Sequence, residues 1–252
     1  MRIVRFQVGP RTAYGVWEGE AVREIRGSIF GDFTIEQVTH RIGNLRLLAP
    51  VEPTKILCIG LNFRDHIEEI GFPTPSHPAH FLKPLTTLIG PEESIVIPRV
   101  AKQVDYEGEP AAVIKRTIKD ASLEEASAAI LGYTCLNDVT ERPLSTEHGQ
   151  LTRSKGFDTF APVGPCIATD VDPAALVLRT HLNGRLMQEA KLADMIFSIP
   201  FLVQYLSQCM TLFPGDIVSA GTPRGVAAMK PGDVVEVSID GIGTLRNPVC
   251  SA

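Results

Sequence analysis

Asp105-Tyr106-Glu107-Gly108-Glu109 (DYEGE) runs directly into the apolar stretch PAAVI, and a second β-like run, GYTCLND, ends at Asp138, 29 residues beyond Glu109. Successive side chains of a strand alternate between its faces, so Glu107 and Glu109 project from one face if this segment is extended. Two adjacent like charges repel unless a cation lies between them. A neighbouring strand ending at Asp138 would set a third carboxylate against the pair. Such an all-oxygen donor set suits Mg²⁺ or Mn²⁺, with Ca²⁺ also compatible in vitro, and does not suit Zn²⁺, which prefers Cys and His. The competing reading is a solvated strand edge that happens to carry two acids, so the surrounding sequence has to decide.

The bulk composition narrows the function classes. The 252 residues are enough for one large domain, or for a small domain joined to a larger one. With 44% apolar and 21% charged residues the balance is that of a globular protein. The 24 basic residues against 29 acidic leave a net charge of −5, which argues against a nucleic-acid partner. An anionic small molecule would have to be held locally, by a few basic side chains and a metal. The five cysteines, Cys58, Cys135, Cys166, Cys209 and Cys250, are widely spaced with no CxxC pair, and read as reduced core residues of a cytoplasmic protein. The N-terminal MRIVRFQVGPRTAYG lacks the apolar segment of a signal peptide. Residues 195–213 form the most apolar stretch, but Gln204, Ser207 and Gln208 interrupt it, so a buried helix is expected and no membrane partner.

Working outward, residues 1–25 alternate in short runs broken by Gly and Pro and predict a small antiparallel meander. Thr34 and Gln37 make a capping-box pattern that predicts a helix ending near Gly43. The segment LLAPVEPTK, residues 47–55, reads as a linker. Beyond it come KILCIG, AAVI, GYTCLND, LVLRTHL, DIVSAG, DVVEVSI and GTLRNPV, all strand-like. Asn183-Gly184 and Asp240-Gly241 predict tight hairpins. Helices are expected near Ser122 to Ile130, opened by Ser122 and Glu125, and within 198–210. Strands without regular helix alternation predict a β-rich roll or sandwich rather than a parallel-sheet fold.

Three further clusters carry chemistry. In NFRDHIEE, residues 62–69, His66 and Glu69 stand at i and i+3, so a short helix would let the carboxylate orient the imidazole as a water-activating dyad. An incidental surface charge pair is the plainer alternative. The following GFPTPSHPAH reads as a lid-like loop, with His77 and His80 as loop residues rather than ligands. Lys155, in SKGFDTFAPVGP, could hold a substrate carboxylate or steady a developing oxyanion, against the alternative of a salt-bridged surface lysine. Arg142 could clamp a carboxylate. In SAGTPRGV, residues 219–226, a strand enters a Gly-rich loop whose N–H groups could bind a carboxylate, with Thr222 exposed at the bend.

Taken in order and at these separations, DYEGE, GYTCLNDVTER, SKGFDTFAPVGP, LNGRLMQ, FLVQYLSQCMTLFPGDIVSAGTPRG and PGDVVEVSIDGIGTLRN resemble the fumarylacetoacetate hydrolase superfamily over roughly residues 55–250. The resemblance implies a mixed α/β, β-rich fold: a β-sandwich roll over residues 55–252, preceded by a small N-terminal domain over residues 1–50, in homodimers or higher oligomers. It implies Glu107, Glu109 and Asp138 as Mg²⁺ or Mn²⁺ ligands, His66 and Glu69 with Lys155 as catalytic groups, and Arg142, Gly221 and Thr222 as substrate contacts. Three positions depart from the family pattern without removing a ligand. Pro110 replaces a leucine, ERP stands for ARD around Arg142, and Ala220 replaces a hydroxyl residue. The implied substrate is a 2-oxo or 2-hydroxy-dienoic carboxylic acid, chelated so that the ion stabilises an enolate. Isomerisation or decarboxylation of the 2-hydroxyhepta-2,4-diene-1,7-dioate type fits best. C–C hydrolysis of acylpyruvates and decarboxylation of oxaloacetate share the same ligands, and a non-catalytic structural metal site is the non-enzymatic alternative.

Overall fold

Alternating apolar positions at the N-terminus produce an antiparallel meander of β1 (Arg2–Val8), β2 (Arg11–Glu18), β3 (Ala21–Gly27) and β4 (Phe33–Arg41). The fourth strand replaces the helix expected after Thr34. Thr34, Ile35, Val38 and Thr39 are β-branched and favour extended backbone. Pairing with β3, Ile25 opposite Ile35, gives this segment long-range backbone partners, which outweigh a local capping pattern. This computed structural model describes residues 1–252, the side chains of residues 147 and 148 excepted.

The segment expected to be a linker is packed. Its first residues belong to β5 (Arg46–Leu48), which pairs with β1, and Ala49 and Val51 are buried. At its far end the wholly buried Asp216 accepts the N–H groups of Thr54 at 3.0 Å and Lys55 at 3.1 Å and the Thr54 hydroxyl at 2.7 Å.

The chain then forms β6 (Ile56–Gly60), α1 (Arg64–Ile70), β7 (Ala79–Lys83), β8 (Leu88–Ile89), β9 (Ile95–Ile97), β10 (Val104–Tyr106) and β11 (Gly108–Ile114). Next come α2 (Leu123–Ala128), β12 (Ile130–Asn137), β13 (Thr140–Glu141), α3 (Arg142–His148), α4 (Leu151–Lys155), β14 (Ala161–Ala168), β15 (Val177–Leu182) and β16 (Arg185–Lys191). The last elements are α5 (Ile199–Cys209), β17 (Ile217–Ser219), β18 (Ala227–Met229), β19 (Val234–Ile239) and β20 (Gly243–Ser251). Ser122 opens α2 with the expected reciprocal cap to Glu125. In α5, Ile199, Leu202, Val203 and Leu206 make one buried stripe, so the most apolar stretch is a core helix. Among the described residues no helix is long and apolar enough to cross a membrane.

Three sheets result, and the β-rich roll with its N-terminal part is the fold the chain adopts. The largest has twelve strands, in the order β4-β3-β2-β1-β14-β12-β11-β17-β6-β7, with β5 beside β1 and β8 beside β14. A five-stranded sheet, β16-β15-β19-β20-β9, faces it, and a three-stranded one, β13-β10-β18, lies at the junction of the two acidic segments. Pairing is antiparallel except for β17 with β6, β14 with β8 and β20 with β9. The sandwich core is shared: Leu178, Val237 and Leu245 of the five-stranded sheet pack in one apolar cluster with Ala112, Ile114 and Cys135 of the twelve-stranded sheet and Leu202 and Leu206 of α5.

Two local features bear on the site. Asn183 (φ +53°) and Gly184 (φ +77°) make the expected tight hairpin, whereas the β19–β20 connection has three residues and a positive φ only at Gly241. Pro110 is tolerated inside a central strand because its carbonyl faces β17, where it accepts from Ala220 N–H at 2.9 Å. A strand residue's N and O point to the same neighbour, and β17 ends at Ser219 opposite Ala111, so the missing donor falls where the ladder stops.

Candidate metal centre and active site

Glu107 is the one residue between β10, in the three-stranded sheet, and β11, in the twelve-stranded sheet. Glu109 lies two residues along β11. The β11–β12 register sets Gly108 opposite Asn137, and Asp138 N–H donates to the Glu107 carbonyl at 2.8 Å. Strand alternation and register thus bring Glu107, Glu109 and Asp138 together, all buried, with one oxygen from each lying within 4.8 Å of the others. The alternative of a solvated strand edge does not hold, since none of the three is more than 5% exposed.

Cations crowd this cluster. Lys155, at the end of α4 and buried, donates to Glu107 Oε2 at 2.7 Å and to Asp138 Oδ2, with its Nζ 4.9 Å from the Phe81 ring centre. Arg142 donates through Nε to Asp105 Oδ2 at 2.7 Å and through Nη2 to Glu107 Oε1. Lys83, wholly buried at the end of β7, donates to Asp138 Oδ1 and to the Val139 carbonyl at 3.1 Å. Among the described residues four carboxylates therefore face three cations, and the surplus falls on Glu109. Its Oε2 accepts from the Ser219 hydroxyl and from Gly221 N–H at 3.1 Å, and among the described residues it has no ion-pair partner.

The titration behaviour follows from that imbalance. Burial would raise Glu107, but the Lys155 and Arg142 charges and hydrogen bonds outweigh it and hold the carboxyl down. Burial raises Glu109 too, and the neighbouring Asp138 and Glu107 charges add to it, so this carboxyl stands well above the usual range. Burial disfavours the Lys155 ammonium, yet Asp138, Glu107 and Glu109 more than compensate and raise it. A buried cluster of three carboxylates, one of them without an ion-pair partner among the described residues, fits a divalent cation.

The second predicted pair also meets. His66 and Glu69 lie on α1, with Nδ1 3.3 Å from Oε2. Asn62, buried just ahead of the helix, donates to the carbonyls of Ala220 at 2.7 Å and Phe197 at 3.0 Å, which fastens the start of α1 to the loop after β17. That loop touches both clusters. Gly221 donates to Glu109, and Gly225 N–H donates to both oxygens of Glu69 at 3.2 Å. The loop does bind carboxylates through its N–H groups, and they are the protein's own.

Thr222 is not exposed at a bend as expected. It is 4% exposed, its hydroxyl donating to the Gly108 carbonyl and accepting from Gln188 Nε2, both at 2.9 Å. Gln188 Oε1 accepts from Gly108 N–H at 3.1 Å and Asn137 Oδ1 accepts from Glu107 N–H at 2.9 Å, so side chains hold the junction where the ladder is interrupted. His80 lies on β7 rather than in the preceding loop, while His77 is in that loop, bonded to Ser76. Of the cysteines, Cys58, Cys135 and Cys166 are buried and free, but Cys209 is exposed.

Sequence reasoning passed over Lys83, Ser219, Asn137, Gln188 and Tyr106. A signal existed for Lys83: it lies two residues from Phe81 in FLK, on the face that Phe81 buries. Ser219 and Gln188 reach the site from β17 and β16, which lie more than 75 residues further along the chain, and local pattern carries no trace of that.

The family model for the fumarylacetoacetate (FAA) hydrolase C-terminal region matches residues 55–250, and that for the Rv2993c-like N-terminal region matches residues 1–50. The chain belongs to the fumarylacetoacetate hydrolase family. Protein Rv2993c of Mycobacterium tuberculosis is 44% identical over 99% of this chain and 98% of its own. The crystal structure of 2-hydroxyhepta-2,4-diene-1,7-dioate isomerase from Mycobacterium marinum superposes with a TM-score of 0.92 at 43% identity, covering 100% of this chain and 98% of that one. Oxaloacetate tautomerase YisK of Bacillus subtilis is 39% identical over 83% of this chain and 75% of its own.

Proposed function

We propose that this chain is a divalent-cation-dependent enzyme acting on 2-oxo or 2-hydroxy-dienoic carboxylic acids through an enolate, an isomerase or decarboxylase of the 2-hydroxyhepta-2,4-diene-1,7-dioate type. The observation that carries this reading is the buried carboxylate triad with its one unneutralised member, joined by a single loop to the His66–Glu69 pair. We further read residues 1–50 as a small N-terminal domain, residues 55–252 as the catalytic one, and the working state as a cytoplasmic homodimer or higher oligomer.

Glu107, Glu109 and Asp138 would hold Mg²⁺ or Mn²⁺, which would supply Lewis acidity to the keto and carboxylate oxygens of the substrate. The chain's own groups do the rest. His66 takes or returns the proton: with Nδ1 turned to Glu69, Nε2 is the free nitrogen, and the Glu69 charge steadies the imidazolium once formed. Lys155, whose ammonium lies on Glu107 and Asp138 beside the triad, would be the donor to a developing oxyanion. Arg142, already engaged with Asp105 and Glu107, sets the ligand carboxylates and meets substrate only at the edge of that contact. Gly221 and Thr222 would act on the substrate indirectly, by holding Glu109 and the Gly108 carbonyl in place.

The hydrolase reading is kept as the second one because the His66–Glu69 pair is formed, as activation of a water requires. The test is a panel of oxaloacetate, acylpyruvates and hydroxy-dienedioates assayed with Mg²⁺, with Mn²⁺ and with EDTA. Turnover of at least one member that EDTA abolishes is expected. Turnover untouched by EDTA, or none at all with metal, removes the proposal. His66→Ala tests the pair, since both activation of a water and proton transfer to or from the enolate draw on it, so turnover of the best substrate should fall sharply.

A further inference from the structure

The loop from Gly221 to Gly225 is fastened at both ends. At one end Gly221 N–H holds Glu109 and the Thr222 hydroxyl holds the Gly108 carbonyl. At the other, Gly225 N–H donates to both oxygens of Glu69 at 3.2 Å, and the Gly225 carbonyl accepts the Tyr106 hydroxyl at 2.8 Å. Tyr106 is fully buried, pairs with Ala227 across the β10–β18 ladder, and immediately precedes Glu107. Gly225 has a φ of +94°, and a Cβ there would stand 2.2 Å from the Met187 carbonyl oxygen, so only glycine fits this close approach.

We propose that Tyr106 is a positioning residue for the His66–Glu69 pair: its hydroxyl holds the Gly225 carbonyl, which aims the Gly225 N–H at Glu69 and turns Glu69 toward His66 Nδ1. The inference rests on the reading of His66 and Glu69 as the proton-transferring pair. One peptide link separates Tyr106 from Glu107, so the same residue ties the orientation of the pair to the place of a metal ligand. A tyrosine kept for bulk alone, packed with Val139 and Phe160, would need no hydroxyl.

The experiment is a double-mutant cycle of Tyr106→Phe and Glu69→Gln, using the fastest substrate of the panel, with Mn²⁺ affinity measured by calorimetry. Tyr106→Phe is expected to lower kcat about tenfold and to shift the acid limb of its pH profile, as for a misaligned base. Its KM and its Kd for Mn²⁺ should stay within roughly twofold, and in the Glu69→Gln background the same change should cost less than about twofold. Equal losses in both backgrounds, an unchanged kcat, or a loss confined to Mn²⁺ affinity would overturn the proposal. Full activity of His66→Ala would instead overturn the reading of the pair itself, so the two failures are distinguishable.

Discussion

Take away the Lys83 ammonium and Asp138 keeps only Lys155 beside it, with no solvent to share the charge. Breaking a buried pair leaves an uncompensated charge, so Lys83→Met should cost about 3 kcal/mol, the low end of the usual range because Lys155 remains. Urea denaturation in EDTA measures this, and Asp138→Asn in the same chain should recover part of the loss. A loss below about 1 kcal/mol would mean that the Lys83–Asp138 contact is no more than a surface-type pair. The same locality explains what was legible in the candidate site. Glu107, Glu109 and Asp138 lie on segments whose own patterns place them, and His66 and Glu69 share a face by helical spacing alone. Thr222 was placed on the surface because Gly-rich bends are normally wet. Gln188, arriving from another sheet, buries it.

Asp216 ties β17 to the segment before β6 through Thr54, Lys55 and Phe213, and no solvent reaches it. Asp216→Ala removes one buried acceptor that holds five donors of Thr54, Lys55 and Phe213, and should cost about 3 kcal/mol or more. Ser122→Ala, by contrast, removes one exposed helix cap from α2 and should cost about 1 kcal/mol. Thermal melts of the two variants side by side test the ranking, and an equal loss would show that the Asp216 contacts add nothing beyond an ordinary cap. At this level the sequence was read well where an element is set by its own residues, as with the capping box of α2 and the apolar stripe of α5. At β4 the capping-box pattern is local and points to a helix, whereas the decisive bonds run to β3. The seven-residue α3 and five-residue α4 were passed over because helices so short owe little to propensity and much to what packs on them.

Gly90 shows how tightly the turn after β8 packs on the end of β5. A Cβ there would lie 2.5 Å from Ala49 N and 2.8 Å from the Leu48 carbonyl carbon, both backbone and neither able to yield cheaply. Gly90→Ala should therefore cost about 3 kcal/mol, the upper end for overpacking, and should lower the melting temperature of the whole chain in one transition if the N-terminal meander and the rest of the twelve-stranded sheet unfold together. Two separated transitions would show that they unfold independently. The sequence by itself determined the β-rich class, the acidic triad, the dyad on its short helix and the family, because each rests on periods of two and three to four residues or on motifs within short stretches. Only the tertiary structure decided that β1 joins β14, that Lys83, Ser219 and Gln188 close around the carboxylates, and that one loop ties the triad to the dyad. These are contacts between segments up to about 170 residues apart, and their energies depend on burial and register that no local window contains.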